Sequence, residues 1–205
     1  MSLQRLEMVS EYLNRNFQDY TLIDLGCRTR DLFPLLDACK TYTGTDLEDG
    51  ENVTACNLEQ VLPFDDDSFD IVCALDVLEH LENAHRAFEE IKRVGKKAAI
   101  ISLPNIAHWS FRLRFLFKGY LSGKYKFHES TVVDRHRWVT NYAESKNFIE
   151  KNSVDYKVEF IDIVPKRGRT KFVSQPVEAW LAKKYPNAFV YGIIAVVHLR
   201  EEKIK

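Results

Sequence analysis

Residues 69–75, Phe-Asp-Ile-Val-Cys-Ala-Leu, form an apolar run that follows an acidic turn at Asp65, Asp66 and Asp67 and stops at Asp76. The run has neither helical spacing nor regular alternation. It fits a strand buried on both faces, the kind found inside parallel sheets. A parallel strand needs a crossover to reach its neighbour, commonly a helix, and the flanking sequence supplies helices and strands in turn. Leu6, Val9, Leu13 and Phe17 mark one helical face, and a first strand spans Thr21–Leu25. Asp31 is placed to cap a following helix, with Pro34 in its first turn. Further strands are predicted at 41–46, ending at Asp46, at 52–56, and at 97–104, where Pro104 stops the last of these. Asn83 caps a helix whose stripe is Ala84, Ala87, Phe88 and Ile91. Residues 105–137 read as aromatic, basic and irregular. A helix around Asn141–Lys151, a strand at 156–164, a basic loop at 165–171, a helix at 174–186 and a closing strand at 188–199 complete the chain. The alternation predicts a doubly wound α/β sheet. No repeat or linker divides it, so a single domain over residues 1–205 is expected, with a lid or substrate insertion at about 105–137.

Charge is unevenly placed. Between Thr41 and His85 there are twelve Asp or Glu and no Lys or Arg, whereas Ile106–Thr140 holds seven Lys or Arg against two acids. The first stretch suits a site that tolerates a cation, and the second an anionic partner. With a formal net charge of -1 there is no overall pull toward nucleic acid, and no nucleic-acid partner is expected. Cys27, Cys39, Cys56 and Cys73 lack CxxC spacing and read as free thiols of a reducing compartment. The histidines do not fall at ligand spacing with them, so no metal site is expected. The N-terminus lacks a signal-peptide pattern, and no apolar run reaches the roughly 18 residues of a membrane span. A cytoplasmic protein is the simple reading.

Asp24 lies near the end of the first strand, and Asp46 lies 22 residues later at the end of the second, near the ~20-residue spacing that brings a carboxylate to ribose hydroxyls in nucleotide-binding folds. The segments "DLGC", "GTD", "NLEQVLPFDDDSFDIVCALDVLEHL" and "VGKKAAIISLPN" resemble, in order and spacing, the class I S-adenosylmethionine-dependent methyltransferases, and within them the small-molecule branch of methyltransferase type 11 and MetW-like proteins. The resemblance covers about residues 20–110. It implies a Rossmann-like, seven-stranded, mostly parallel sheet with an antiparallel last strand, and S-adenosylmethionine as cofactor. By this resemblance Asp24, Gly26 and Cys27 form the cofactor loop, and Asp46 holds the ribose with Leu47 on the adenine. Asn57 and Leu58 read the adenine edge, and Asp76 and Val77 face the transferred methyl. A nicotinamide oxidoreductase fits less well, because there is no GxGxxG to seat a pyrophosphate.

The loop departs from the family where Arg28 and Arg30 replace glycines. Such an arginine points away, pairs with the methionine carboxylate (Arg30 is the candidate), or fills the site and abolishes binding. Methyl transfer is an in-line displacement that often uses a base. His136, in "DRHRW", and His80, in "VLEHL", are the candidates, each with a plain structural alternative. The segment 108–127 reads as a lid over a small-molecule, sugar or lipid-linked acceptor, as a weak contact with an anionic membrane surface, or as a cover for the sheet. The function expected is methyl transfer from S-adenosylmethionine to an unidentified acceptor. The alternative is a non-catalytic protein of the same fold that binds a partner or senses the cofactor.

Overall fold

The computed structural model describes residues 2–121, 123–125, 135–165 and 175–202. Seven strands, β1 (Tyr20–Leu25), β2 (Cys39–Asp46), β3 (Val53–Ala55), β4 (Phe69–Leu75), β5 (Gly95–Pro104), β6 (Tyr156–Ile163) and β7 (Gly192–Glu202), make one sheet in the order β3-β2-β1-β4-β5-β7-β6. Pairings from β3 to β5 are parallel, with Leu22 opposite Ile71 and Ile71 opposite Ala98. Strand β7 inserts antiparallel to both β5 and β6. This is the Rossmann-like methyltransferase architecture with its antiparallel last strand.

The apolar run of β4 is explained by two cores. On one face Val72 and Ala74 pack with Ile23, Leu25, Phe88 and Ile91; on the other Ile71 and Cys73 pack with Leu6, Val9, Leu13 and Leu22. Helix α1 (Ser2–Asn16) covers the second face, and α2 (Ala84–Val94) the first. As expected, Asn83 caps α2, its side chain accepting the Arg86 N–H at 3.0 Å. Helices α3 (Trp109–Lys118), α4 (Tyr142–Asn152), α5 (Gln175–Lys184) and α6 (Pro186–Phe189) follow. The four cysteines are free thiols. Among the described residues no helix is long and apolar enough to cross a membrane.

Two local expectations are corrected. After β1 there is no α-helix capped by Asp31. Only a 3-10 turn forms, Phe33–Leu35, with Leu32 at its N-cap and Pro34 in its first positions. Arg28 and Arg30 take left-handed backbone angles, with φ of 52° and 60°, so helical geometry cannot start before Asp31, and β2 already begins at Cys39. The stretch expected to be irregular contains α3, ten residues long. His108 caps it by accepting the Ser110 N–H, and Gly119 ends it at φ +71°, donating its N–H to Phe115 O at 2.8 Å. Residues 166–171 of the expected basic loop lie outside the described residues.

The acidic turn is anchored as well as solvated. Arg93 of α2 donates to the carbonyls of Leu62 and Phe64 and to Asp66, while Glu90 accepts the Leu62 N–H. Replacing the fully buried Phe88 with Ala should lower unfolding stability in urea by about 3–5 kcal/mol. Phe117→Ala, on α3 and 79% exposed, should stay within roughly 0.5 kcal/mol of the parent.

Candidate active site

The carboxyl ends of β1, β2 and β4 carry Asp24, Asp46 and Asp76, one acid each. Open parallel sheets bind ligands at this edge, where loops diverge from the strand ends. Three carboxylates crowded there repel one another unless each finds its own partners.

Asp46 accepts backbone N–H groups from Arg28 at 2.9 Å and from Leu47 at 2.7 Å, while Gly26 and Cys27 both donate to Thr45 O. The β1 loop is thereby laced to the end of β2. Gly26 is required twice over: its φ is +73°, and a Cβ there would lie 2.7 Å from Val77 Cγ2. Asp24 is buried, and the Tyr42 hydroxyl donates to it at 2.5 Å. Burial pushes the Asp24 carboxyl up to about 7, against the pull of the Tyr42 hydrogen bond and of Arg5. Asp76 sits at φ +55°; its N–H donates to the Ser102 hydroxyl at 2.9 Å, and that hydroxyl donates to its carboxylate at 2.7 Å.

Arg5 of α1 is the residue that sequence reading passed over. Its guanidinium pairs with Asp76, and both Glu79 and Asp24 lie close enough to hold its charge against the cost of burial. Its Nε is buried without a hydrogen-bond partner. One arginine on an amphipathic helix carries no sequence signal; only the packing of α1 across the second sheet face brings it to the strand ends.

Arg30 turns the other way. Its guanidinium lies 4.8 Å from the Phe33 ring centre and 5.2 Å from that of Tyr42, two cation–π contacts. In this conformation the guanidinium lies against those two rings and points toward β2. Burial and the charges of Asp24 and Asp46 push the Cys27 thiol up to about 12, so it stays protonated and is no nucleophile. Leu47 is 53% exposed beyond β2. Asn57 is exposed, its side chain turning back to the Glu59 N–H, and Leu58 packs into the core. Val77 closes over Gly26.

The two candidate bases come together. His80 and His136 are edge-to-face with ring centres 4.5 Å apart, although 56 residues separate them. Residues 135–138 run alongside the turn after β4: the N–H groups of Arg137 and Trp138 donate to Glu79 O, and Trp138 Nε1 donates to Leu81 O at 2.7 Å. Arg137 also pairs with Glu82. Between the imidazoles lies the buried Glu79 carboxylate, 3.9 Å from His80 Nε2 and 4.0 Å from His136 Nε2. The expectation of no metal site therefore meets a group of side chains close enough together to hold an ion, which histidine–cysteine spacing could not reveal. A second buried pair, His108 with Glu178 at 3.3 Å, joins α3 to α5, and Trp109 Nε1 donates to the same carboxylate.

Comparison with known proteins follows the same lines. Residues 9–103 match the family model described as a methyltransferase domain. No curated protein matches the chain. Among solved structures, the small RNA methyltransferase HEN1 matches over 100% of this chain and 26% of its own, at 19% identity and a TM-score of 0.63. A chain from the complex between the Haloferax volcanii Trm112 methyltransferase activator and a methyltransferase matches over 99% and 90%, at 16% identity and 0.58. Magnesium protoporphyrin IX methyltransferase from Synechocystis PCC 6803, solved with bound S-adenosylhomocysteine, matches over 95% and 82%, at 18% identity and 0.56. The acceptors of these proteins differ, and the expectation that nucleic acid is not a partner draws no support from them.

Two outcomes test the geometry. Gly26→Ala should cost roughly 1–3 kcal/mol in urea unfolding, since a strained backbone and a clash with Val77 arise together. For Asp24 the folded pKa lies above the unfolded one. Its contribution is full below the ordinary carboxylate value near 4 and is lost as pH rises through about 7. Asp24→Asn, neutral at every pH, should therefore raise the melting temperature over the parent more at pH 8.5 than at pH 5.

Proposed function

We propose that the chain, whose residues 9–103 match a methyltransferase-domain model and whose sheet has the Rossmann-like methyltransferase order, is a class I S-adenosylmethionine-dependent methyltransferase that transfers a methyl group from this cofactor to a small-molecule, sugar or lipid-linked acceptor. The observation that carries the reading is the strand-end cradle: Gly26 pressed against Val77, Asp46 laced to the β1 loop, and the buried Arg5 with an unused Nε.

The residues fit the cofactor's chemistry. Backbone at Gly26 and Cys27 allows close approach, and Asp46 has lone pairs for ribose hydroxyls beyond those given to Arg28 and Leu47. Leu47 and Asn57, exposed beyond β2 and β3, are the residues this reading assigns to the adenine, with Leu58 packed into the core next to Asn57. Arg5 is the cation for the methionine carboxylate, the role expected of Arg30, because its guanidinium lies at the site while that of Arg30 is stacked on Phe33 and Tyr42. Asp24 and Asp76 give a negative surround suited to a sulfonium. When bound, the cofactor supplies an electrophilic methyl group. The chain's part is to align the acceptor, with His80 and His136 held at the turn that leaves β4.

Helix α3 supports the acceptor class. Leu113, Phe115, Leu116 and Phe117 are exposed beside Arg112, Arg114 and Lys118, so the helix that follows the carboxyl end of β5 presents apolar side chains mixed with cations. That combination suits an acceptor with an apolar portion and an anionic group; of the lid expected at about 105–137, residues 122 and 126–134 lie outside the described residues.

Isothermal titration with S-adenosylmethionine and S-adenosylhomocysteine tests the reading. A dissociation constant on the order of micromolar is expected, about 8 kcal/mol. Arg5→Ala and Asp46→Ala should each weaken it by roughly tenfold or more, the scale of a lost charged hydrogen bond. Arg30→Gly should change it by less than about threefold, since its stacking is remote from the carboxylate. Neither heat nor thermal stabilisation at about 1 mM ligand would point instead to a non-catalytic partner-binding protein.

A further inference from the structure

We propose that Glu79, His80 and His136 form a binding site for a first-row divalent transition-metal ion at the acceptor side of the cofactor cradle. The proposal deepens the methyl-transfer reading: it rests on that reading for the ion's role, and on the side chains alone for its binding.

The three ligating atoms, Glu79 Oε1, His80 Nε2 and His136 Nε2, all lie within 4.8 Å of one another, at 3.9 and 4.0 Å from the carboxylate oxygen to the two nitrogens. Tetrahedral coordination at about 2.0–2.2 Å sets ligand atoms roughly 3.3–3.6 Å apart, so each imidazole nitrogen closes on the carboxylate oxygen by about half an ångström and the two nitrogens on each other by roughly 1.5 Å at most. Side-chain torsions of the two partly exposed imidazoles supply that movement. The donor set, two imidazoles and one carboxylate, suits zinc, manganese, iron or cobalt better than the all-oxygen preference of magnesium or calcium.

The hydrogen bonds behind the ligands carry the argument further. His80 Nδ1 lies 3.0 Å from Arg135 O, a carbonyl that only accepts. Nδ1 therefore holds the proton, and in the neutral ring the lone pair is on Nε2. His136 Nδ1 lies 2.8 Å from the Tyr125 hydroxyl, which is also 3.3 Å from Trp138 O. With the hydroxyl donating to that carbonyl it accepts from Nδ1, the tautomer that puts the His136 lone pair on Nε2. Both Nε2 atoms thus turn toward the Glu79 carboxylate oxygen, which sets two imidazole nitrogens and one carboxylate oxygen around a common point. Partners that fix the ring tautomer from behind are the usual outer shell of a metal-binding histidine.

The place is functional. Glu79 is three residues beyond Asp76, and its charge reaches Arg5, the guanidinium paired with Asp76. Glu79 itself is fully buried, whereas the His80 side chain is 19% exposed, which leaves a path from solvent. Three protein ligands leave coordination positions open, as in catalytic sites rather than structural ones. Those positions would take an oxygen or nitrogen of the acceptor and orient it toward the cradle.

The test uses the full chain, stripped with chelator and dialysed. Cobalt(II) titration followed by visible d–d absorption, and zinc(II) titration by calorimetry, should both saturate at one ion per chain with a dissociation constant below about 10 µM. His136→Ala and Glu79→Gln should each weaken binding about 10–100-fold, and Tyr125→Phe should weaken it less. Should His136→Ala fail to fold, His80→Asn provides the same comparison. No saturable binding up to about 1 mM would overturn the proposal. So would binding that is unchanged in the His136 and Glu79 variants, which would place the ion on the free cysteines or other surface groups. Cofactor titration in chelator separates the two readings. Cofactor bound without any ion binding sinks only the metal site; ion bound without cofactor sinks the methyltransferase reading and leaves the ion site standing.

Discussion

The strand-end acids set the main electrostatic constraint on this molecule. A parallel sheet that ends three neighbouring strands in carboxylates gathers negative charge at one edge, and Asp24 is buried there. Each acid is answered differently: Asp46 by backbone N–H groups, Asp24 by the Tyr42 hydroxyl and partial neutralisation, and Asp76 by Ser102 and Arg5. Arg5 is the component that spans the edge, because its charge reaches Glu79 and Asp24 while it pairs with Asp76. Helix α1 is thus more than a cover for the second core. Its apolar stripe, Leu6, Val9 and Leu13, fixes the height at which the guanidinium enters, so packing and electrostatics are set by the same helix.

That coupling bears on how a cationic cofactor would enter. Arg5 and a sulfonium both gain from the same carboxylates, and two cations in one low-dielectric place repel. The arrangement works when Arg5 turns toward the cofactor's own carboxylate and leaves Asp76 and Asp24 to the sulfonium. Its unpartnered Nε shows donor capacity not used by Asp76. The ion pair with Asp76 then reads as a placeholder held until a ligand carboxylate replaces it.

The centre of the sheet was legible in the sequence because β1, β4, β5 and β7 are mostly buried on both sides, and uniform apolarity is a strong local signal. Strand ends agree to within a few residues, and the antiparallel closing strand agrees with what the family resemblance implied. The cap at Asn83 was legible for the same local reason. The helix expected at Asp31 failed on backbone conformation, which hydropathy does not record: Arg28 and Arg30 occupy left-handed angles that sequence reading reserves for glycine. Helix α3 was missed because only Phe111 of its ten residues is buried, so no apolar stripe stood out. In the site, the acids at strand ends were found because each terminates a strand. Arg5 and Glu79 were not, since their significance comes from partners brought in by topology: α1 for the first, and residues 135–138 for the second.

The arginine loop answers a structural question that the sequence raised. Left-handed backbone at a residue with a Cβ costs on the order of 1–2 kcal/mol, and the loop bears it twice within three residues. The second instance is offset locally. At φ 60° the Arg30 side chain leaves the loop toward β2, where its stem packs over Gly44 and its guanidinium meets Phe33 and Tyr42. Tyr42 in turn holds Asp24. The chain Arg30–Tyr42–Asp24 therefore turns a departure from the glycine-rich pattern into a brace for the first acid of the site. An arginine that braces from outside leaves the mouth of the loop to backbone, which is the condition a glycine-rich loop meets by having no side chain at all.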